Sequence, residues 1–392
     1  MKRIYLDNNA TTPVDERVLA AMLPYFTDVF GNPSSIHQTG QRARRGMDDA
    51  RESLAASLGV EPKSIVFTSG GSESNNAVVF GVAELHSGRP RHIVTTAIEH
   101  DSVRRTCARL ETKGVEVTYL SPNPLGIVEA DAVAEAIRPE TILVSVMAAN
   151  NEVGTLQPIE PIARIARERG VLFHTDAVQR AGKMPIRLDA WDADFVTLCA
   201  HKIHGPKGIG LLYIRPGVEL PAFVIGGKHE RLRRAGTENV PGIVGFAESW
   251  RCCDEFLAAS PARMAELRDR LADRILTSTP DVRVTTRLAL CTPNTLHVCV
   301  RGLDSESLLM NLDMMGVSVS SGSACASGSH EISHVLAAMG IPEEWALGAV
   351  RFSLSRNTTA TEVDEAAVIF SGVVRSLRES RDEAKEHAAS SV

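Results

Sequence analysis

A lysine at the exit of a buried strand is the residue in this chain best placed to attack a carbonyl. It stands in DFVTLCAHKIHGPKGIG, where the apolar run Phe195–Leu198 gives way to a glycine-rich loop around Pro206. Here Lys202 is flanked by His201 and His204. Desolvation and cationic neighbours both lower the pKa of an amine, and a neutral amine is a nucleophile. A solvated loop lysine is the plainer alternative, and Lys202 alone does not separate the two.

Other reactive types collect at neighbouring strand ends. SGGSESNN, from Ser69 to Asn76, follows the strand-like run Ile65–Thr68 and opens a helix. The free N–H groups of a helix start around Gly71, with the Ser72 hydroxyl, suit a phosphate. Ordinary capping by serine is the alternative. The segment lacks the Gly-Lys-Ser/Thr of a nucleotide-binding P-loop and the GxGxxG of a dinucleotide site. Asp176 comes directly after the buried run VLFHT, with Gln179 three residues on. A carboxylate there needs a cation or several hydrogen bonds, and a protonated pyridine nitrogen would serve. The alternative is an N-cap aspartate. His100, just past His92–Thr96, offers a flat ring for stacking or proton movement. Asn151, in NNEVG after Ile142–Met147, can hold a ring substituent, although turns use asparagine as well. Far down the chain SSGSACASGS carries one thiol, Cys325, on a loop of small residues. His330-Glu331-Ile332-Ser333-His334 matches the zinc-protease pattern HExxH, but that pattern needs both histidines on one helix. His330 adjoins the glycine–serine loop, so no metal is expected.

Seven strand-like runs must position these groups: Ile65–Thr68, His92–Thr96, Glu116–Leu120, Ile142–Met147, Val171–Thr175, Phe195–Leu198 and Ile209–Ile214. Amphipathic helices separate many of them, such as Glu160–Arg169, stopped by Gly170. Continuous apolar strands alternating with helices indicate a mostly parallel sheet covered on both faces, with ligands at the strands' carboxyl ends. The last two runs are joined by a loop alone, so one of them is expected to be antiparallel. Ahead of the sheet, one helix is N-capped by Asp15 and a second runs from about Arg42 to Leu58. Near Glu255 the pattern changes: a charged helix from Pro261 to about Thr277 precedes short strands at Val282–Val284 and Thr295–Val300. The tail after Leu377 reads as a frayed helix or as disordered.

The chain has 392 residues, 44% of them hydrophobic, so two domains are expected. A net charge of −6 leaves no basic footprint for nucleic acid. No apolar run is long enough to span a membrane, and the N-terminus does not read as a signal peptide. Seven scattered cysteines suit free thiols in a reducing cytoplasm.

A lysine, an anion loop, an aspartate and a histidine at adjacent strand ends are what a pyridoxal phosphate enzyme needs. The chain resembles the cysteine desulfurases of the NifS/IscS family, through YLDNNATTPVD, FTSGGSESNN, IEHDSV, NNEVG, HTDAVQ, AHKIHGPKG, RRAGTEN, SSGSACASGS and VRFSLSR in that order. The resemblance implies the α/β fold-type I aminotransferase architecture. A large domain, 15–256, would carry a mostly parallel seven-stranded sheet. Residues 1–14 and 257–392 would form a smaller α/β domain bearing the cysteine loop.

It further implies that Lys202 binds pyridoxal 5'-phosphate covalently, that Asp176 pairs with its ring nitrogen and Gln179 with its phenolic oxygen, and that His100 stacks on it. Asn151 would help position ring or substrate. Gly71, Ser72 and His201 would hold the phosphate, and Thr237 would reach the phosphate of a partner subunit in a homodimer. Arg351 would bind the carboxylate of L-cysteine, and Cys325 would take up its sulfur as a persulfide for an acceptor scaffold protein of iron–sulfur assembly. That role leaves room for transient iron–sulfur ligation by Cys325. A selenocysteine lyase or another pyridoxal enzyme of this fold is the alternative. One departure stands out: Cys199 occupies a position where many members have a phosphate-binding serine.

Overall fold

The computed structural model describes residues 3–260, 262–321 and 332–390. The chain opens on β1 (Ile4–Tyr5) and then builds a seven-stranded sheet from β2 (Ile65–Thr68), β3 (His92–Thr96), β4 (Glu116–Leu120), β5 (Thr141–Ser145), β6 (Leu172–Asp176), β7 (Phe195–Cys199) and β8 (Gly210–Ile214). The strand order is β2-β8-β7-β6-β5-β3-β4. Only β8 runs antiparallel to its neighbours, β2 and β7, as the short loop between the last two runs requires. The six other strands therefore point the same way, and their carboxyl ends share one edge.

Period-two alternation sends residues to opposite faces. Phe67, Val94, Val144, Phe173, Val196 and Leu211 pack beneath helices Gln38–Leu58, Ile159–Glu168 and Val240–Ala259. Val66, Ile93, Leu143, Phe195 and Leu212 pack beneath Gly71–Leu85 and Asp101–Glu111. Covering both faces explains why β5 and β7 are buried throughout and read as unbroken apolar runs.

A second core surrounds the antiparallel sheet of β9 (Val282–Val284), β10 (Thr295–Val300) and β12 (Ala349–Ser353), in the order β12-β10-β9. β11 (Val317–Ser318) pairs in parallel with β1. Helices Arg263–Ser278, Ser305–Met314 and Ala360–Ser390 pack there.

The N-terminal segment ties the two cores together. Ser353 donates its N–H to Leu6 O at 2.7 Å, and a few residues on Thr12 donates to His201 O at 3.0 Å and Asp15 to His204 O at 3.0 Å.

Some boundaries differ from expectation. The helix read from about Arg42 begins at Gln38, because His37 caps it, its Nδ1 accepting from Gly40 N at 3.2 Å. The charged helix begins at Arg263 rather than Pro261. Of the two readings of the tail the helical one holds, since the helix from Ala360 runs through Ser390. No helix among the described residues is long and apolar enough to cross a membrane.

Candidate active site

The shared strand edge opens on a cavity of about 630 Å³. Lys202 ends a single 3-10 turn after β7, and its Nζ donates to Asn9 O and Ala10 O, each at 2.6 Å. Burial pushes the Lys202 amine below its usual range, with Arg351 acting in the same direction. The plain loop lysine is excluded.

Asp176 is the last residue of β6, and a turn rather than a helix follows it, so it is no N-cap. Its Oδ1 accepts from Val178 N at 3.0 Å and its Oδ2 from Asn75 Nδ2 at 2.7 Å. Among the described residues no cation forms an ion pair with it. From Asn75 a hydrogen-bonded chain continues to Ser102 Oγ at 2.9 Å and on to His100 Nδ1 at 2.8 Å. His100 caps the helix Asp101–Glu111, its Nδ1 accepting from Ser102 N at 3.1 Å. With Nδ1 occupied as acceptor, the ring proton belongs on Nε2.

Gly71 and Ser72 line the cavity at the start of a 15-residue helix. Its N-cap is Gly70 with no side-chain cap bond, so Ser72 does not serve as the capping serine. The first-turn N–H groups of such a helix have no acceptor of their own. His201 lies alongside, its Nδ1 3.2 Å from Thr11 Oγ1, and burial beside Lys202 pushes its pKa down to about 4. Cys199, at the end of β7, lines the same wall, and burial pushes its thiol up to about 12.

Arg351 on β12 is 2% exposed and reaches the cavity between Asp7 Oδ1 at 2.7 Å and Asn151 O at 2.9 Å. Asn150, by contrast, is a turn former: its Oδ1 accepts from the N–H groups of Glu152 and Val153. Thr237 is exposed and does not line this cavity. Cys325 and His330 lie outside the described residues. The last helix near the HExxH match starts only at His334, capped by Ser333.

Sequence reasoning passed over Asn9, Asn75, Ser102, Asp7 and Lys183, although the first four stand inside the quoted motifs. Gln179 does line the cavity, and its Nε2 donates to Asn9 O at 3.0 Å. Lys183 stands among small and apolar residues in Ala181-Gly182-Lys183-Met184-Pro185-Ile186, and that is the signal that could have found it.

The model of the aminotransferase class-V family matches residues 4–366. A cysteine desulfurase of Nostoc sp. is 45% identical over 378 residues, 96% of this chain and 94% of that protein. Cysteine desulfurase IscS of Methanosarcina thermophila is 45% identical over 381 residues, 96% of this chain and 93% of that protein. A solved NifS-like protein superimposes with a TM-score of 0.90 at 40% identity, covering 95% of this chain and 99% of the other. The chain belongs to the aminotransferase class-V family and within it is similar to NifS- and IscS-type members.

That family is pyridoxal phosphate-dependent. The residues present fit the cofactor: a buried carboxylate with no cationic partner, a helix start with unbonded N–H groups and a buried amine of lowered pKa all line one cavity. A Cβ added at Gly71 would come within 3.1 Å of Val178 Cγ2, so the glycine keeps the helix start close to the turn after β6.

Proposed function

We propose that this chain is a pyridoxal phosphate-dependent cysteine desulfurase that converts L-cysteine to L-alanine and leaves the sulfur as a persulfide on Cys325. The observation that supports this best is the convergence of Lys202, Asp176 and the Gly71 helix start on one cavity.

When bound, pyridoxal phosphate supplies an electron sink conjugated to the substrate Cα. The chain's own residues do the rest. Asp176 holds a protonated ring nitrogen, and its bond from Asn75 keeps the carboxylate aimed. The helix start at Gly71 and Ser72, with His201 and the Cys199 wall, holds the phosphate. Gln179 would meet the phenolic oxygen, and His100 would stack on the ring.

Lys202 would hold the cofactor, and its amine would move the proton at the substrate Cα; burial lowers its pKa and so favours the neutral form that this role needs. Arg351, already braced by Asp7, receives the substrate carboxylate beside Asn151. The Cys325 thiolate attacks the substrate sulfur; the C–S bond breaks, an S–S bond forms, and the carbon fragment takes up a proton to become alanine. Cysteine plus thiol thus becomes alanine plus persulfide, with no external oxidant.

In this reading the sulfur passes to an acceptor protein for iron–sulfur clusters or another sulfur-containing cofactor, and the enzyme works in the reducing cytoplasm. It is a homodimer in which the exposed Thr237 completes the partner's phosphate site. Residues 15–256 act as the large domain, with 1–14 and 257–392 as the small one.

The test measures alanine and sulfide from L-cysteine under reductant. Wild type should give both. Lys202→Ala should lose both, together with the cofactor's absorption band. Cys325→Ala should keep the band and release no sulfide. Wild-type sulfide release by Cys325→Ala would overturn the persulfide assignment.

A further inference from the structure

Lys183 is buried, 6% exposed, and stands just behind the cavity wall rather than on it. Its Nζ donates to Gln179 Oε1 at 2.6 Å and to Asn9 Oδ1 at 3.0 Å. Neither acceptor is charged. Burial pushes the Lys183 amine well below its usual range, and Lys202 and Arg351 add to the effect. The Nζ donates in both contacts, and the two amide oxygens accept.

The direction of these bonds matters for Gln179. An amide has one accepting end and one donating end. Because Oε1 is held by Lys183, Nε2 must point the other way, and it donates to Asn9 O at 3.0 Å along the cavity wall. A flipped amide would replace the accepting Oε1 with Nε2 and forfeit the bond that Lys183 donates. Asn9 is fixed by the same lysine, and the Asn9 carbonyl also accepts from Lys202 Nζ at 2.6 Å. Lys183 therefore controls the orientation of two amides that adjoin Lys202, without touching the cavity itself.

We propose that Lys183 is a positioning residue that turns the Gln179 amide so that its N–H, and not its carbonyl, faces the phenolic oxygen of the bound cofactor. This rests on the proposed pyridoxal phosphate site. A donor at that oxygen draws electron density from the conjugated ring and holds down the proton affinity of the bound cofactor. Without Lys183 the amide is free to flip, and an opposed carbonyl would raise that affinity.

The experiment is a spectrophotometric pH titration of the purified, cofactor-loaded protein without substrate, in wild type, Lys183→Met, Gln179→Glu, Gln179→Ala and the Gln179→Ala/Lys183→Met double variant. Lys183→Met should move the band's midpoint up by about one pH unit, a roughly tenfold change in proton affinity. Gln179→Glu, which keeps a partner for Lys183 but removes the N–H, should shift it upward too, and serves if Lys183→Met fails to fold. In the Gln179→Ala background Lys183→Met should add nothing. A wild-type midpoint in either Lys183→Met or Gln179→Glu would overturn the proposal. So would a full extra shift in the double variant, since Lys183 would then act by its charge and not through Gln179. A wild type with no band after loading would instead overturn the cofactor reading.

Discussion

A thiol, Cys199, stands at the end of the strand that leads to Lys202. The wall around it is dry enough to push the thiol up to about 12, so it meets a phosphate as a neutral, weak donor. The helix start at Gly71, with Ser72 and His201, should then carry the binding. Cys199→Ser should leave cofactor affinity unchanged or tighten it by at most about 1.5–3 kcal/mol, the worth of one hydrogen bond to a charged group. Cofactor dissociation rates of wild type, Cys199→Ser and Cys199→Ala check this. Faster loss from the serine variant than from the alanine one would place the side chain away from the phosphate.

At this scale the sequence was most readable where a residue's chemistry was odd for its surroundings. Lys202 and Asp176 follow apolar runs, and oddity found them. Asn75 and Ser102 are ordinary helix-start residues, and only the fold shows that they link His100 to Asp176.

Among elements, the antiparallel β8 sets the spacing beneath the anion loop. Gly210 is paired to Thr68 on one side and Cys199 on the other. A Cβ there would lie 2.7 Å from both Cα and C of Gly70, which are backbone atoms with little freedom to yield. Gly210→Ala should therefore displace the loop just before the Gly71 helix start and weaken cofactor binding, by about 1–3 kcal/mol as for other overpacked sites. Equilibrium dialysis with pyridoxal phosphate checks this, alongside circular dichroism to show that the sheet persists. Wild-type affinity would mean that the loop is not held by β8.

The strands themselves were legible because burial on both faces writes unbroken apolar runs. Their exact ends were not, since hydrogen bonding rather than hydropathy decides where a ladder stops. The run read to Met147 leaves the ladder after Ser145, and Asp176, polar by type, still belongs to β6.

For the whole molecule, buried histidines set the response to acid. Burial pushes His174 and His297 from 6.5 down to about 3, while it pushes Glu99 from 4.5 up to about 8. Between about pH 3 and 6.5 the unfolded chain takes up protons at both histidines and the folded chain does not, so they remove stability as pH falls. Glu99 acts oppositely between 4.5 and 8, where only the folded form holds its proton, so it removes stability as pH rises. Below 6.5 the buried histidines, with His201 and His204 also pushed down to about 4, outweigh the one glutamate, so stability falls as pH drops from 6.5 toward 4.5. Thermal midpoints at about pH 5, 6.5 and 8 check it, and a midpoint at pH 5 equal to that at 6.5 would refute the histidine assignment. His174→Asn should flatten the acid limb.

The tie made by the N-terminal segment has a consequence for how the protein is made. Asp7 grips Arg351 across 344 positions of chain, and β1 has no partner until β11 exists. On the ribosome this segment emerges ahead of the main sheet, yet β1 must wait, unpaired, while the whole seven-stranded sheet is synthesised behind it. Asn9 and Ala10, which hold Lys202, therefore precede the sheet in the chain and are among the last residues whose neighbourhood is complete. A nascent chain stalled before β12 should contain every strand of the main sheet and still fail to retain the cofactor.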